Sequence, residues 1–289
     1  MQLKNARVLL TGAAGGIGSE IATLLAARGA RVALLDRNLD ALEAFVKQST
    51  QKDRFIPVAV DLLNAGERQQ AVQDAVNRLG GLDLLINNAG LLSFRPFVEE
   101  DPAVLERIMQ LNTITPMLIT RQLLPMLIEQ GHGRIVNVGS TFGSIGFAWF
   151  TAYSASKFGL RGFSEALRRE LEGSGVGLTY VAPRAVKTRL NSGAIYRMAE
   201  AVKMNMDEPQ WVAQRIIEAI EHDASERYLG FPESLFTRIN ALLRRASGHA
   251  RPQIDGKGVL RSRISSALSG SSFARAARNP CTSLPAGQM

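Results

Sequence analysis

The chain has 289 residues, of which 46% are hydrophobic and 21% are charged, and its formal net charge is +8. These proportions predict a globular protein large enough for one substantial core, and they exclude a collagen-like or fully disordered chain. Residues 244–289 hold eight lysines and arginines against one aspartate and so carry +7, which leaves +1 for the rest of the chain and no basic surface there of the kind that binds nucleic acid.

The first predicted element is an apolar strand, Arg7–Leu10, which runs into Thr11-Gly12-Ala13-Ala14-Gly15-Gly16-Ile17-Gly18. A helical pattern follows and ends before Gly29. Glycines between a buried strand and a helix start let the backbone approach a pyrophosphate closely, and the free N–H groups and dipole of the helix attract its charge. The pattern predicts a dinucleotide site; the alternative is a flexible turn that binds no ligand.

The second predicted strand, Arg31–Leu35, ends at Asp36. An acidic residue about 20 residues beyond the glycines is placed to accept hydrogen bonds from ribose hydroxyls. Because a carboxylate there repels a 2′-phosphate, Asp36 favours NAD over NADP. Arg37 leaves two alternatives open: it contacts a 2′-phosphate, or it is a solvent-exposed neighbour of Asp36.

Strands and helices alternate through the rest of the first 245 residues. The further predicted strands are Phe55–Val60, Leu82–Ile86, Arg134–Val138, Gly177–Val181 and Arg227–Gly230. The predicted helices are Leu39–Gln48, Ala65–Leu79, Pro102–Leu111 running on towards Ile128, Tyr153–Leu171 and Pro209–His222. Strict alternation predicts one α/β domain of Rossmann type, a doubly wound parallel sheet of about seven strands flanked by helices, with ligands at the carboxyl ends of the strands.

Tyr153 and Lys157 lie four residues apart on a predicted helix, so the phenol and the ammonium share one face. A lysine beside a tyrosine favours the phenolate and lowers a pKa that is otherwise about 10, which gives a general acid/base near neutral pH. Ser140, at the end of a predicted strand, can hydrogen-bond a carbonyl or hydroxyl held between them. A Tyr-x-x-x-Lys pair alone is more often an ordinary helix-surface pair, so its weight here comes from the rest of the chain.

The ordered set of motifs resembles that of the short-chain dehydrogenases/reductases. The set comprises Thr11-Gly12-x-x-x-Gly16-x-Gly18, Asn87-Asn88-Ala89-Gly90, Asn112, Ser140 and Tyr153-x-x-x-Lys157. It spans residues 4 to about 240 in the family's order. The resemblance implies an NAD(P)-dependent enzyme that transfers a hydride between a nicotinamide and a secondary alcohol or ketone, working as a homodimer or homotetramer.

The resemblance also implies a role for each matching residue. The implied catalytic residues are Ser140, Tyr153, Lys157 and Asn112. Tyr153 would be the acid/base, Lys157 would lower its pKa and bind the nicotinamide ribose, and Ser140 would orient the substrate oxygen. Asn112 would hold a water of a proton relay, or would only kink its helix.

The implied cofactor-binding residues are Gly12, Gly16, Ile17, Gly18, Asp36, Arg37, Asp61, Leu62, Asn88, Ala89, Gly90, Tyr153, Lys157 and Thr188. Within this set, Asp61 would bond the adenine amino group and Thr188 the nicotinamide carboxamide. Asn87 could merely stabilise the central sheet.

One residue departs from the family's pattern. The family usually has Pro-Gly after its sixth strand, and this chain has Pro183-Arg184. The change removes easy access to positive φ and adds a bulky cation near the nicotinamide end. Arg184 therefore either meets an anionic group of the substrate or cofactor, or points to solvent.

Three segments, residues 91–94, 142–150 and 188–206, are expected to form the substrate pocket. Their aromatic and aliphatic residues indicate an apolar substrate. One alternative function is an NADPH-dependent reductase of ketones or 3-oxoacyl thioesters. Another is a nucleotide-binding protein that has kept the fold and lost catalysis, against which the intact Ser140, Tyr153 and Lys157 argue.

The remaining features concern location and the C-terminal segment. The chain has one cysteine, Cys281, and no evident signal peptide, metal-ligand cluster or membrane span, so we expect a cytoplasmic protein without a metal. Residues 246–289 are basic and rich in Ser, Ala and Arg, which predicts a largely disordered tail. That tail either contacts an anionic surface or has no selected role.

Overall fold

The computed structural model of the chain describes residues 1–191, 193–201 and 204–230, together with the backbone of residues 253–254 and 260–261. The strands are β1 (Arg7–Thr11), β2 (Arg31–Asp36), β3 (Phe55–Ala59), β4 (Leu84–Asn87), β5 (Gly133–Val138), β6 (Val176–Ala182), β7 (Glu226–Tyr228), β8 (Gln253–Ile254) and β9 (Leu260–Arg261). The described helices are α1 (Gly16–Ala27), α2 (Leu39–Gln48), α3 (Ala65–Leu79), α4 (Pro102–Met109), α5 (Thr115–Gln130), α6 (Thr151–Glu170), α7 (Gly193–Ala201) and α8 (Pro209–Glu221). Apart from β8 and β9, which pair antiparallel, the predicted tail lies outside the described residues.

Strands β1 to β7 form one seven-stranded sheet in the order β3-β2-β1-β4-β5-β6-β7. Every neighbouring pair in it is parallel. This confirms the predicted doubly wound α/β fold. The strand order runs outwards in both directions from β1 and β4, which creates a crevice at their carboxyl ends, the place where such sheets bind ligands.

The central strands are covered on both faces. Val8 and Leu10 of β1 pack in the core cluster that includes α1 and α8, whereas Leu9 packs in the cluster that includes α3 and α5. All three side chains are fully buried, and burying each contributes about 1.5–3 kcal/mol relative to leaving it in water. Burial on both faces explains why β1 is a continuous apolar run in the sequence.

Local capping explains why α2 and α3 have the bounds that the sequence predicts. Asn38 Oδ1 accepts a hydrogen bond from Ala41 N at 3.0 Å, and Asn64 Oδ1 accepts one from Gly66 N at 3.1 Å. Gly80 ends α3 with a φ of 76°, a left-handed conformation that favours glycine. Most other ends differ from the prediction by one or two residues.

The run predicted as helical from Pro102 towards Ile128 is interrupted. A π-helical turn, Gln110–Ile114, separates α4 from α5. This wider turn carries Asn112, which is fully buried, and such turns are frequent at functional sites. No helix in the described part of the chain is long and apolar enough to cross a membrane.

Candidate active site

The glycine-rich turn between β1 and α1 is packed tightly against the end of β4. Gly12 has a φ of 67°, and a Cβ on it would lie 2.7 Å from the Cα of Ala89. A Cβ on Gly18 would lie 2.1 Å from the carbonyl oxygen of Gly12. Only glycine fits at either position, so these two residues let the turn and the start of α1 pack closely against each other and against the end of β4.

Hydrogen bonds join this turn to Asn88 and Ala89. The amide Nδ2 of Asn88 donates to the carbonyl oxygens of Thr11 and Gly12, both at 3.1 Å. The hydroxyl of Thr11 accepts from the backbone N–H of Asn88 at 3.0 Å and of Ala89 at 3.1 Å. The structure thus brings together Gly12, Asn88 and Ala89, which the sequence predicts as cofactor residues. Thr11, predicted only as part of the motif, bonds to both Asn88 and Ala89.

Asp36 lies at the end of β2 beside the same turn. Its Oδ2 accepts a hydrogen bond from Ala14 N at 3.0 Å, and its Oδ1 accepts one from Asn38 N at 3.2 Å. The next side chain, Arg37, is exposed. A carboxylate and a cation therefore both stand where the ribose of an adenosine would lie against β2.

Two predicted cofactor residues follow β3. Asp61 is exposed, and its Oδ1 accepts a hydrogen bond from Leu63 N at 3.0 Å. Leu62 is buried in the core. Ile17, at the start of α1, is likewise packed against the core.

Ser140, Tyr153 and Lys157 converge at the carboxyl end of β5. Ser140 caps a short 3₁₀ turn, where its Oγ accepts a hydrogen bond from Phe142 N at 3.1 Å. The Ser140 side chain lies beside Tyr153 and acts to lower the pKa of its phenol. Lys157, from the same face of α6, has its Nζ 5.8 Å from the centre of the Tyr153 ring and donates to the carbonyl oxygen of Val138 at 2.9 Å.

Burial dominates the ionisation of this group. It raises the pKa of Tyr153 above its usual value, while the Ser140 side chain acts in the opposite direction. It lowers the pKa of Lys157 to about 8. In the protein alone, loss of water around the phenolate is the largest influence on the pKa of Tyr153. The expectation that Lys157 lowers this pKa stays a prediction.

Asn112 ties three parts of the site together. Its Oδ1 accepts from Leu91 N at 2.8 Å, and its Nδ2 donates to the carbonyl oxygen of Leu91 at 2.8 Å and to Ser156 Oγ at 2.9 Å. A Cβ on Gly90 would lie 3.3 Å from Asn112 Oδ1 and 3.8 Å from Lys157 Nζ. The loop after β4, the π-helical turn and α6 therefore meet around Asn112.

A second asparagine, Asn87, forms a hydrogen bond within the sheet. Asn87 Nδ2 donates to Asn137 Oδ1 at 2.9 Å, and both side chains are buried. The contact joins β4 to β5 beneath the crevice. This geometry favours the sheet-stabilising alternative for Asn87.

Two residues that sequence reasoning did not select support the group. Ser156 Oγ donates to the carbonyl oxygen of Tyr153 at 2.7 Å. The hydroxyl of Tyr180 lies 3.4 Å from both the backbone nitrogen and the carbonyl oxygen of Ser140. Tyr180 occupies a position inside a buried strand, where the sequence pattern indicates core, so only the structure reveals its position beneath Ser140.

The two glycines around Ser140 make room for Tyr180. A Cβ on Gly139 would lie 2.2 Å from the Tyr180 hydroxyl oxygen, and a Cβ on Gly143 would lie 2.6 Å from it. Because real Cβ contacts are never this short, a larger residue at either position would displace the tyrosine. The turn that carries Ser140 is thus built around the buried phenol.

Arg184 does not follow either of the alternatives drawn from the sequence. Its Nε donates to Asp207 Oδ2 at 2.9 Å and its second terminal nitrogen donates to Asp207 Oδ1 at 2.7 Å. Both side chains are mostly buried, with 15% and 11% exposed. Arg184 therefore has an internal carboxylate partner and is not a solvent-exposed substitute for the family's glycine.

Thr188 lies close to the glycine-rich turn. A Cβ on Gly16 would lie 3.1 Å from the Thr188 methyl group. The carbonyl oxygen of Thr188 accepts a hydrogen bond from the Tyr196 hydroxyl at 3.1 Å. The structure thus brings the last predicted cofactor residue to the same edge of the sheet as the others.

Aromatic side chains surround Tyr153 on one side. Phe142 and Phe150 both meet its ring edge-on, with centres 6.4 and 6.3 Å away. Phe94 extends the group, since its ring centre lies 4.8 Å from that of Phe150 and 5.2 Å from that of Trp149. Trp149 holds a φ of 70°, a strained backbone of the kind that clusters at functional sites.

Comparisons with known proteins agree with this geometry. Residues 6–197 match the family model described as short chain dehydrogenase. The chain is 31% identical over 243 residues to "Dehydrogenase/reductase SDR family member 7B" of Bos taurus, covering 80% of this chain and 75% of that protein. It is 36% identical over 222 residues to "Ketoacyl reductase HetN" of Nostoc sp., covering 76% of each.

A solved structure supports the same assignment. The crystal structure of a short-chain dehydrogenase from Streptomyces avermitilis superposes with a TM-score of 0.74 at 30% identity, covering 84% of this chain and 94% of that one. The family model, the relatives and the fold therefore agree. The chain is an oxidoreductase that belongs to the short-chain dehydrogenase family.

Proposed function

We propose that this enzyme transfers a hydride between a nicotinamide cofactor and a secondary alcohol or ketone, with Ser140, Tyr153, Lys157 and Asn112 as its catalytic residues. The observation that carries the proposal is the convergence of Ser140, Tyr153 and Lys157 at the carboxyl end of β5. A hydroxyl, a phenol and an ammonium on one edge of the sheet can bind an oxygen atom and exchange a proton with it.

The neighbouring residues fit a dinucleotide. Gly12 and Gly18 pack where any Cβ would collide with neighbouring protein atoms, while Gly15 and Gly16 are exposed and α1 begins at this turn. We propose the cofactor contacts expected from the sequence, with Gly12, Gly16, Ile17 and Gly18 near the phosphates. Gly90 and Thr188 would lie at the nicotinamide end. When bound, the nicotinamide would supply or accept the hydride.

The protein's own residues would handle the proton and the orientation. During alcohol oxidation Tyr153 would accept the hydroxyl proton, and during ketone reduction it would return a proton to the oxygen. Ser140 would hold that oxygen in place. Lys157, with a pKa of about 8, can stand protonated beside Tyr153 at neutral pH and stabilise its phenolate form.

We infer a preference for NAD from Asp36. Its carboxylate accepts a hydrogen bond from the Ala14 amide of the glycine-rich turn, and its negative charge would repel a 2′-phosphate brought there. The turn from Gly12 to Gly16 carries no charged side chain that would offset it. Arg37 is the opposing influence, since it is exposed next to Asp36.

The aromatic group around Tyr153 supports an apolar substrate. Phe94, Phe142 and Phe150 offer ring faces and edges beside the catalytic phenol. Such walls bind apolar groups, while the few polar atoms fix orientation. An alcohol or ketone with a sizeable apolar substituent fits this site best.

A second candidate is an NADPH-dependent reductase of ketones or 3-oxoacyl thioesters. Two observations favour it: a relative of 36% identity is named a ketoacyl reductase, and the exposed Arg37 could meet a 2′-phosphate. Preference for NADPH together with turnover of an oxoacyl thioester would establish this candidate over the first.

We further propose a homodimer or homotetramer. Met117 and Leu118 of α5 are 39% and 37% exposed, next to the Ile114 of the π-helical turn at 40%. An apolar patch on a long helix suits a partner subunit. A monomer in light-scattering measurements would contradict this. A cytoplasmic location and the absence of nucleic-acid binding stay predictions from the sequence.

The proposal is tested by the Tyr153→Phe variant. Removing the hydroxyl should lower kcat by about 10²–10⁴-fold, the usual contribution of a general acid/base. The dinucleotide Kd should change little, because the ring and its packing remain. Steady-state turnover of secondary alcohols and ketones, with calorimetric binding as the control, measures both. Full activity in this variant would contradict the assignment of Tyr153 as the general acid/base.

A further inference from the structure

Arg184, which stands where the family usually has glycine, lies beside a point where two segments of the chain are joined by backbone hydrogen bonds. We call this point the neck: it consists of Ala185–Lys187, after β6, and Asp207, before α8. Lys187 N donates to the carbonyl oxygen of Asp207, and Asp207 N donates to that of Ala185, both at 2.9 Å. Val186 and Asp207 accordingly pair as a parallel bridge.

The Arg184–Asp207 ion pair is the side-chain part of this neck. Its two parallel hydrogen bonds match the planar guanidinium to the carboxylate, and both groups are mostly buried. Such bidentate pairs fix geometry as well as adding energy. The fork also packs on Gly230, whose φ is 87° and whose Cβ would lie 2.6 Å from Arg184 Cδ.

A nearby ion pair does not share these features. Lys187 and Glu208 also meet beside the neck, but their side chains are 51% and 63% exposed. Exposed pairs of this kind contribute little to stability and hold geometry weakly. Of these two ion pairs, the mostly buried Arg184–Asp207 pair is the one that can hold the neck in a fixed geometry.

The neck leads directly to Thr188. Thr188 is the first residue after it, and its methyl group lies against Gly16 of the glycine-rich turn. Pro209, two residues beyond Asp207, lies near the same glycine, with its Cγ 3.7 Å from where a Cβ would be. Both arms of the neck therefore meet the turn that would cradle the cofactor.

We propose that Arg184 and Asp207 are a positioning pair that holds Thr188 at the nicotinamide end of the cofactor. The pair takes over a task that the family's usual Pro-Gly turn would perform through backbone conformation. The inference rests on the proposed function, since it needs a dinucleotide in the crevice. It assigns no substrate contact to Arg184.

The test compares the whole dinucleotide with its adenosine part. The variants Arg184→Gly, Arg184→Lys and Asp207→Asn are titrated by calorimetry with NADH or NADPH, whichever the wild type prefers, and with the matching ADP-ribose fragment. We expect Arg184→Gly and Asp207→Asn to weaken dinucleotide binding about tenfold and the fragment less than about twofold. Arg184→Lys keeps the charge without the fork and should lie between these variants and the wild type.

The Arg7–Asp83 pair is the matched control. It has the same forked geometry, with Nε to Oδ2 at 2.9 Å and a terminal nitrogen to Oδ1 at 2.7 Å, but lies at the amino edge of the sheet. Asp83→Asn should leave both affinities unchanged. Circular dichroism establishes whether each variant is folded. If Arg184→Gly or Asp207→Asn is unfolded, the comparison of Arg184→Lys with the wild type tests the inference.

Two results would overturn the inference. Folded variants that bind the dinucleotide as tightly as the wild type show that the pair positions nothing. Equal weakening of the dinucleotide and the fragment shows general loosening rather than positioning. A wild-type protein that binds neither ligand is a different result, because it contradicts the proposed function and the inference with it.

Discussion

Lys157 is a buried cation, with 4% of the residue exposed and its Nζ donating to a backbone carbonyl. Its environment lowers its pKa from 10.5 to about 8. Burial of this charge costs stability whenever the group is protonated in the folded protein. With this pKa, Lys157 is mostly protonated at neutral pH and loses its proton slightly above it.

This environment predicts a pH-dependent stability. Below about pH 8 the lysine is protonated in both states, so its burial cost is constant. Between about pH 8 and 10.5 the unfolded chain binds more protons than the folded one, so the free energy of unfolding should rise with pH relative to a Lys157→Met variant. The full difference is on the order of 3 kcal/mol.

Urea unfolding of the wild type and of Lys157→Met across this pH range measures the effect. Lys47→Met, which removes an exposed lysine from α2, is the control. The difference between wild type and Lys157→Met should grow in favour of the wild type as pH rises. A difference that stays constant would show that Lys157 is not desolvated in this way.

The sequence identifies the residues of the candidate site better than it identifies how buried or how hydrogen-bonded each of them is. Tyr153, Lys157 and Ser140 were predicted from motif and spacing, because helical periodicity and strand ends follow from local sequence. The direction of the Tyr153 pKa was not predictable, since it depends on how much water the fold removes. Tyr180 and Ser156 were not selected from the sequence. They contact Ser140 and Asn112, which are 40 and 44 residues away along the chain.

Among the elements, the turn between β1 and α1 has the most specific geometry. Gly12 combines a left-handed backbone with no room for a Cβ. We predict that Gly12→Ala lowers the free energy of unfolding by more than the ~1 kcal/mol of conformational cost alone. It should also abolish dinucleotide binding, because the turn must shift away from β4.

Gly131→Ala separates the two causes. Gly131 ends α5 with a φ of 68°, close to the 67° of Gly12, yet a Cβ there would meet nothing within 4 Å. This control should show the conformational cost with normal cofactor affinity. Thermal unfolding and calorimetric titration of both variants give the comparison, and equal effects would mean that the contact with Ala89 does not matter.

Element bounds were predictable where the chain signals them locally. Asn38, Asn64 and Gly80 cap their helices through bonds to near neighbours, so α2 and α3 have the expected bounds. The π-helical turn was expected only as the alternative in which Asn112 kinks its helix. Asn112 forms its bonds with Leu91 and Ser156, which are 21 and 44 residues away, and the periodicity of the sequence carries no trace of them.

At the scale of the whole molecule, the order of strands decides where the site lies. β1, β4 and β5 are adjacent in the sheet, so the glycine-rich turn, Asn88 and Ser140 reach one edge although they are far apart in sequence. The alternation of strands and helices predicted a parallel sheet with its site at the carboxyl ends of the strands, but it did not predict the strand order. The ion pair of Arg184 with Asp207 was not predicted either, because the two residues are separated by a long segment.

The most direct test of the central claim is a fluorescence titration of the purified protein with NADH and with NADPH. We expect saturable binding at one site per chain, tighter for NADH because of Asp36, with little change in affinity in Tyr153→Phe. Tighter binding of NADPH would transfer the preference to Arg37 and favour the reductase alternative. Binding of neither dinucleotide would contradict the proposed function, since the crevice between β1 and β4 would then hold no nicotinamide cofactor.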